Sequence, residues 1–495
     1  MPEFVGLLPL ALVLITAILA TSIDLTKKPG ASYREISLII TVLGLFQALF
    51  LSLLSFPDFL DWDPLFVGKE DTPENSVLVF DNFSHFFALV FLLVGIFIAF
   101  SAYHSLDDSS NPGVFYGLLL FSISGMMLVA ASTDLITLLL SWELGSIPSY
   151  AMVAFKRDSK ESNEAAMKFF FMGAFSSALT LFGMSLLYGI AGSTNLYVIV
   201  NELGDLGDID PLSFLALAFI TGGFGYKMAV VPFHHWAPDV YQGSNTVVTA
   251  FLSAGSKKMG FAALLRIMII ALPVLDNTWS MMFAVLAVFT MTLGNVVALV
   301  QEDIKRMLAY SSIAHAGYIL IALAVVSSSE NAINPDWAYV GALMHVLVHA
   351  LMKLVAFLTV AAIAGKSLSQ KVSDFAGLSK NHPLISLGLT LSFLSLMGIP
   401  PLGGFTSKFY LFYSAVDAGL GLLAIIAILN SGISIFYYAR VIKLMYWEEP
   451  SEEAPITPIS WTYSLPLLLG VTGIVAIGLY PQPLINIIVD AISAL

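Results

Sequence analysis

The 495-residue chain is 58% hydrophobic and carries 21 basic against 34 acidic side chains, which excludes a water-soluble enzyme. A net charge of −13 excludes the basic stripe a nucleic-acid binder needs, so nucleic acid is not an expected partner. With no cysteine there is no thiolate metal site, no thiolate-held iron–sulfur cluster and no catalytic thiol, so any redox chemistry belongs to another chain.

In chain order, apolar runs fall at about 4–23, 35–56, 79–103, 113–131, 133–155, 165–190, 211–231, 245–272, 278–300, 306–326, 337–364, 383–416, 420–447 and 461–488. At roughly 20 apolar residues per crossing they predict an all-α polytopic membrane protein of about fourteen transmembrane helices. The first run lacks a basic leader region and is expected to be the first helix, not a cleaved signal. The acidic loops 57–76 and 448–453 read as solvated connections.

Alternate connections collect the basic residues. Lys27, Lys28, Arg34, Lys156, Arg157, Lys160, Lys168, Lys305, Arg306, Lys366, Lys371, Lys380, Arg440 and Lys443 fall on one side, and Lys69 alone on the other. The acid-rich side holds Asp58, Asp61, Glu202, Asp205, Asp208, Asp210, Glu330 and Asp336. The positive-inside rule then puts both termini outside.

The remaining basic residues, Lys227, Lys257, Lys258, Arg266, Lys353 and Lys408, fall inside apolar runs, with one mid-span carboxylate, Glu143. Each costs a few kcal/mol at the bilayer centre, about 2.5–3.5 on insertion scales, so each is a functional candidate by default. Low dielectric disfavours the charged form of an amine and a nearby carboxylate favours it, so moving the carboxylate moves a proton. Glu143, Lys227, Lys257 and Lys408 carry that expectation, whereas Lys258 and Arg266 read rather as structural pairs or snorkelling side chains.

Two spans are interrupted. Pro232 and Pro238 break the helix around 231–245, and Met397-Gly398-Ile399-Pro400-Pro401-Leu402-Gly403-Gly404 breaks another, giving broken helices seven and twelve. Broken helices in transporters mark ion sites. The segments Gly222–Lys227 and Gly403–Lys408 share the pattern G-G-F-x-x-K, five spans apart, which predicts two inverted five-helix repeats. The expected division is 1–112, 113–272, 278–447 and 461–495: three leading helices, two repeats and a final helix. His345, His349 and Lys353 recur at i, i+4 and i+8 and share a helix face, and with His315 they form a candidate proton relay. His85 reads as a polar contact between helices, and Asp134, His234 and His235 as interfacial groups or channel mouths.

The strings 231–261, 293–318 and 396–412 resemble the antiporter-like membrane subunits of respiratory complex I and of multisubunit Na⁺/H⁺ antiporters. The PDVYQGS string and the lysine at 408 resemble the N-type subunit of NADH:quinone oxidoreductase. The resemblance implies fourteen helices in two inverted bundles, with Glu143, Lys227, Lys257 and Lys408 as proton-translocating residues. The Lys257-Lys258 doublet departs from the family pattern, and the S-K spacing selects Lys257. It further implies a subunit without cofactors of its own, partnered by other membrane subunits and by a peripheral arm holding flavin, iron–sulfur clusters and a quinone-like acceptor. The alternatives are a Na⁺/H⁺ antiporter subunit without redox partners, and a structural spacer whose lysines only pair.

Overall fold

The computed structural model describes residues 6–25, 33–56, 64–69, 72–106, 111–156, 158–205, 211–325, 336–364, 370–450 and 459–495. Among the described residues each apolar run is largely helical. Helices α1 (Leu8–Leu25) and α2 (Arg34–Leu54) precede a hairpin, β1 (Leu65–Gly68) with β2 (Ser76–Phe80), and α3 (Asn82–Ser105) follows. Next come α4 (Pro112–Ala131), α5 (Leu135–Val153), α6 (Lys160–Ala191), the short α7 (Leu196–Asp205), and a broken pair, α8 (Pro211–Met228) and α9 (Trp236–Gly243). Span eight is α10 (Thr246–Phe251) and α11 (Lys257–Arg266), joined and followed by π-helical turns at Leu252–Ser256 and Ile267–Ala271. Then α12 (Asp276–Leu299), α13 (Ile304–Val325), α14 (Asp336–Ala364), the single turn α15 (Leu378–Asn381), the broken pair α16 (Pro383–Met397) and α17 (Gly403–Asp417), and α18 (Gly421–Trp447) complete the bundle.

Among the described residues ten helices are each long and apolar enough to cross a membrane, and the chain is an integral membrane protein. The other apolar runs fall short for visible reasons: α5 carries Ser141, Glu143, Ser146 and Ser149, and the broken and π-interrupted runs are split into shorter helices. One expectation is corrected. The run 461–488 is not one helix, because α19 (Trp461–Leu479) ends before Pro481, which cannot extend a helix from within. Its remainder, α20 (Gln482–Ile492), turns Ile485, Ile488 and Ala491 onto α3 and α14.

Helices α13 and α14 are buried along almost their whole length, while α6, α12 and α18 present Phe171, Phe289 and Phe436 outward. Small residues let helices approach closely at the centre. A Cβ on Gly125 would meet the backbone of Gly145 across α4 and α5, and one on Gly294 would meet Ala314 across α12 and α13. The same interval separates Asp134 from Asp303. Asp134 bridges Asn195 through Leu135 N–H to Thr194 O (2.9 Å) and Leu196 N–H to Thr133 O (2.9 Å). Asp303 bridges Lys371 likewise, through Ile304 N–H to Gln370 O (2.8 Å) and Val372 N–H to Glu302 O (2.7 Å), at the opposite end of the bundle.

The G-G-F-x-x-K segments do not occupy the same place along their broken helices. Lys227 closes the half-helix before its break, whereas Lys408 stands in the half-helix after its own. The interval between these lysines is also longer than the one that recurs elsewhere, so the six-residue echo is out of step with that interval.

Charge is segregated by face. At one end Arg34 stacks on Tyr103 at 4.5 Å, and Asp239 joins Lys168 (2.9 Å) to Arg306 (2.7 Å). There too Lys380 meets Glu449 at 2.5 Å, and Arg440 donates to Leu299 O at 3.2 Å. The hairpin with Lys69 lies at the other end, beside Ser132 and Asn195. Lys27, Lys28, Arg157, Lys366, Asp58, Asp61, Asp208, Asp210 and Glu330 lie outside the described residues.

Candidate functional site: a buried file of lysines and histidines

Helix α8 stops at Met228, four residues before Pro232, and turns away through Ala229 at φ 55°. Lys227 is thereby left at the end of a half-helix, 1% exposed, and its Nζ donates to Ser146 Oγ on α5 at 3.0 Å. The rings of Trp142, Tyr150 and Phe169 surround the ammonium at 5.6–5.9 Å, a cage that favours a cation without neutralising it. Glu143 lies one turn from Ser146 on the same helix face, half-buried, and accepts a hydrogen bond from Ser177 of α6. Among the described residues Glu143 and Lys227 make no ion pair with each other.

The π-turn Leu252–Ser256 inserts extra residues into span eight just before the lysine doublet and so rotates both lysines relative to a regular helix. Lys257, selected from the sequence, donates to Ser312 O (2.9 Å) and lies 3.2 Å from Ser312 Oγ. Lys258 is the one that reaches the histidines, at 2.5 Å from His349 Nδ1. The rings of His349 and His315 stack with centroids 4.8 Å apart. His315 Nδ1 lies 2.9 Å from His345 Nε2, and His345 Nδ1 lies 2.8 Å from Ser407 Oγ, next in chain to Lys408. The i, i+4 spacing on α14 therefore serves His345 and His349. Lys353 turns instead to Leu308 O (3.0 Å) and Ser311 Oγ (2.7 Å), and Ser311 meets the Tyr438 hydroxyl.

Among the described residues Lys408 meets no carboxylate, but the helix break supplies a substitute. Where α16 ends, its last carbonyls lose their intrahelical donors, and Lys408 Nζ donates to Leu396 O (2.8 Å), Met397 O (3.4 Å) and Ser431 Oγ (2.9 Å). These carbonyls are the negative end of the α16 dipole, and the Tyr318 ring lies 4.7 Å from the ammonium.

Other candidates resolve into structural roles. Arg266, fully buried, pairs bidentately with Asp81 at 2.8 and 3.0 Å. Asp81 in turn caps α3. Asp134 caps α5 through Ile136 N–H and Thr137 N–H. His234 and His235 lie within the broken stretch with ring centroids 4.3 Å apart and the rings tilted by 35°. His85 is buried at the start of α3. Among the described residues no three or more His, Asp or Glu side chains converge as a metal site. Ser146, Ser312 and Ser407 do not stand out in the sequence, and Lys305, which reads there as part of a connection, is 1% exposed. The signal available was the serines set within the apolar runs, which the structure brings opposite Lys227, Lys257, Lys353 and Lys408.

Residues 132–434 match the family described as NADH:quinone oxidoreductase/Mrp antiporter, transmembrane. Subunit N of the F(420)H(2) dehydrogenase of Methanosarcina mazei is 43% identical over 92% of each chain. Subunit N of the NADH-quinone oxidoreductase of Trichlorobacter lovleyi is 41% identical over 84% of each. A chain of respiratory complex I from Thermus thermophilus superimposes with a TM-score of 0.78 at 30% identity, covering 97% of this chain and 98% of that one. The chain belongs to the family of antiporter-like membrane subunits typified by subunit N of NADH-quinone oxidoreductase.

Proposed function

We propose that the chain is the N-type, non-redox subunit of a complex I-type oxidoreductase, and that it moves protons across the membrane through its buried Glu, Lys and His side chains. The observation carrying this reading is the succession Lys258–His349, His315–His345–Ser407, which runs from the end of the first bundle to the side of Lys408. Neutral imidazole accepts a proton at one nitrogen and releases one from the other, and an amine carries one between partners, so such a file passes protons by exchange between neighbours.

Partner subunits hold the flavin, iron–sulfur clusters and quinone-like acceptor, and electron transfer there alters charge beside the half-exposed Glu143. A carboxylate brought within about 4 Å of an ammonium gains roughly 4 kcal/mol at an effective dielectric of 20, enough to draw Lys227 from Ser146. Lys227, Lys257 and Lys258 then load or empty the histidine file toward Lys408. The paired Asp134–Asn195 and Asp303–Lys371 bridges, with the matched Gly125 and Gly294 contacts, support reading 113–272 and 278–447 as inverted repeats between the leading segment 1–112 and the tail 461–495. The basic face is then cytoplasmic and both termini lie outside. The runner-up, Na⁺ transport, fits less well: a hard cation needs converging oxygen ligands, and this file offers amines and imidazoles.

The test uses the intact complex in proteoliposomes with its own electron donor. His315→Leu should leave subunit content unchanged and lower acidification per electron at least about tenfold, equivalent to about 1.4 kcal/mol or more on a transfer step. Unchanged acidification, or transport that requires Na⁺, overturns the reading.

A further inference from the structure

Lys408 and the histidines lie side by side without a direct bond. Among the described residues the Lys408 ammonium donates to Leu396 O, Met397 O and Ser431 Oγ and to no imidazole, and His345 stops at Ser407 Oγ. Tyr318 of α13, 1% exposed, touches both. Its ring centroid lies 4.7 Å from Lys408 Nζ, 5.4 Å from the ring of His315 and 6.3 Å from that of His345, near-perpendicular to the two imidazoles at 86° and 84°. A ring set over an ammonium in a dry interior attracts it by its quadrupole, so the place of the ring decides where the cation rests.

That place is fixed from the hydroxyl end. Asn295 of α12, fully buried, donates from Nδ2 to the Tyr318 hydroxyl oxygen at 3.1 Å. An amide buried in a membrane protein is costly unless its donors and its acceptor are met, and α18 meets the rest of this one. The Tyr437 hydroxyl donates to Asn295 Oδ1 at 3.0 Å, and Asn295 Nδ2 lies 3.4 Å from Asn430 Oδ1. Asn430 is itself held, its Nδ2 donating to Thr292 Oγ1 at 3.2 Å and to Ile426 O at 3.0 Å. Ser431, next in the chain, is the hydroxyl that accepts from Lys408 at 2.9 Å. One turn of α18 therefore holds the ammonium twice, once through Ser431 and once through Asn430, Asn295 and the Tyr318 ring.

We propose that Tyr318 and Asn295 are positioning residues for the handover between the histidines and Lys408: the Asn295 amide, fixed by Tyr437 and Asn430, pins the Tyr318 hydroxyl, and the pinned ring keeps the Lys408 ammonium at the carbonyls that end α16, beside His315 and His345. This rests on the proton-translocation reading above and adds what sets the geometry of its step at Lys408. Neither residue takes up or gives off a proton in this role. Tyr318 acts by the contact of its ring with the ammonium and the imidazoles. Asn295, whose hydrogen bonds go to Tyr318, Asn430 and Tyr437, acts through Tyr318, so the two behave as one unit when either is changed.

The experiment measures acidification per electron by the intact complex in proteoliposomes for four variants. Tyr318→Phe keeps the ring and frees it, Asn295→Leu removes the pin, the third combines the two, and Tyr318→Leu removes the ring. Each of the first two should lower acidification about threefold and their combination no further, whereas independent losses would multiply to about ninefold. Tyr318→Leu should lower it at least about tenfold, equivalent to about 1.4 kcal/mol or more. If Tyr318→Leu does not assemble, the first three variants still decide. Losses that multiply in the combined variant overturn the positioning role, since they identify separate packing effects, and so does normal acidification in either single variant. Tyr318→Phe as impaired as Tyr318→Leu also overturns it, because the hydroxyl itself is then the working group. The His315→Leu variant run in parallel separates the two claims. If it abolishes acidification while Tyr318→Leu does not, only the positioning role fails; if neither does, the translocation reading itself fails.

Discussion

At the scale of single residues, an intramembrane charge is explained by what it touches. Arg266 and Lys408 looked alike in sequence, each a cation in an apolar run, but Arg266 is matched by Asp81 whereas Lys408 is held by carbonyls and a ring. Removing one partner of a fully buried pair leaves an uncompensated charge, at a cost of about 3–5 kcal/mol. Arg266→Met should therefore lower the thermal midpoint of the purified complex strongly. Arg266→Met with Asp81→Asn, which keeps the α3 cap and carries no charge, should recover most of the loss. A single variant as stable as the parent would mean that the pair contributes nothing. What the sequence revealed at this scale was rarity: Glu143, Lys227, Lys408 and the α14 histidines stand out because charge is scarce in apolar runs. It did not reveal which of Lys257 and Lys258 meets His349, because that depends on a π-turn that helical periodicity does not encode. Lys305 was hidden by its neighbours Asp303 and Arg306, which made a buried lysine look like part of a charged connection.

At the scale of elements, the break between α16 and α17 frees backbone carbonyls, and these hold Lys408. Gly398 ends α16 at φ 87°, and a Cβ there would come within 3.2 Å of Lys408 Cδ. Gly419 adopts a similar φ of 78° at the end of α17 with nothing within 4 Å. Alanine at either site bears the left-handed penalty of about 1–2 kcal/mol, but only Gly398→Ala also presses on Lys408. Gly398→Ala should cut acidification per electron well below that of Gly419→Ala, with both complexes assembled; equal activities would detach the break from the role of Lys408. The prolines announced both breaks in the sequence, since Pro232, Pro400 and Pro401 forbid a continuous helix. The sequence did not announce that Lys227 precedes its break while Lys408 follows its own, because a six-residue echo records composition and not register.

At the scale of the whole molecule, the alternation of charged connections is a statement about sidedness. The described basic residues Arg34, Lys168, Lys305, Arg306, Lys371, Lys380 and Arg440 meet at one end of the bundle, although they come from connections far apart in sequence. The hairpin, α7 and the Asp134 cap gather at the other. Such segregation arises when every connection has obeyed the same insertion bias, and a single miscounted crossing would have scattered the lysines between both ends. A cavity lined mainly by polar side chains, Lys305 among them, also opens on the basic end. The chain has no cysteine, which makes single introduced thiols in it unambiguous reporters. Asn111, exposed before α4 at the basic end, and Glu202, exposed on α7 at the opposite end, suit the purpose. In intact cells an impermeant maleimide should label Glu202→Cys and spare Asn111→Cys, and permeabilisation should bring Asn111→Cys to the same level. Labelling of Asn111→Cys alone in intact cells would invert the molecule, placing the basic end outside.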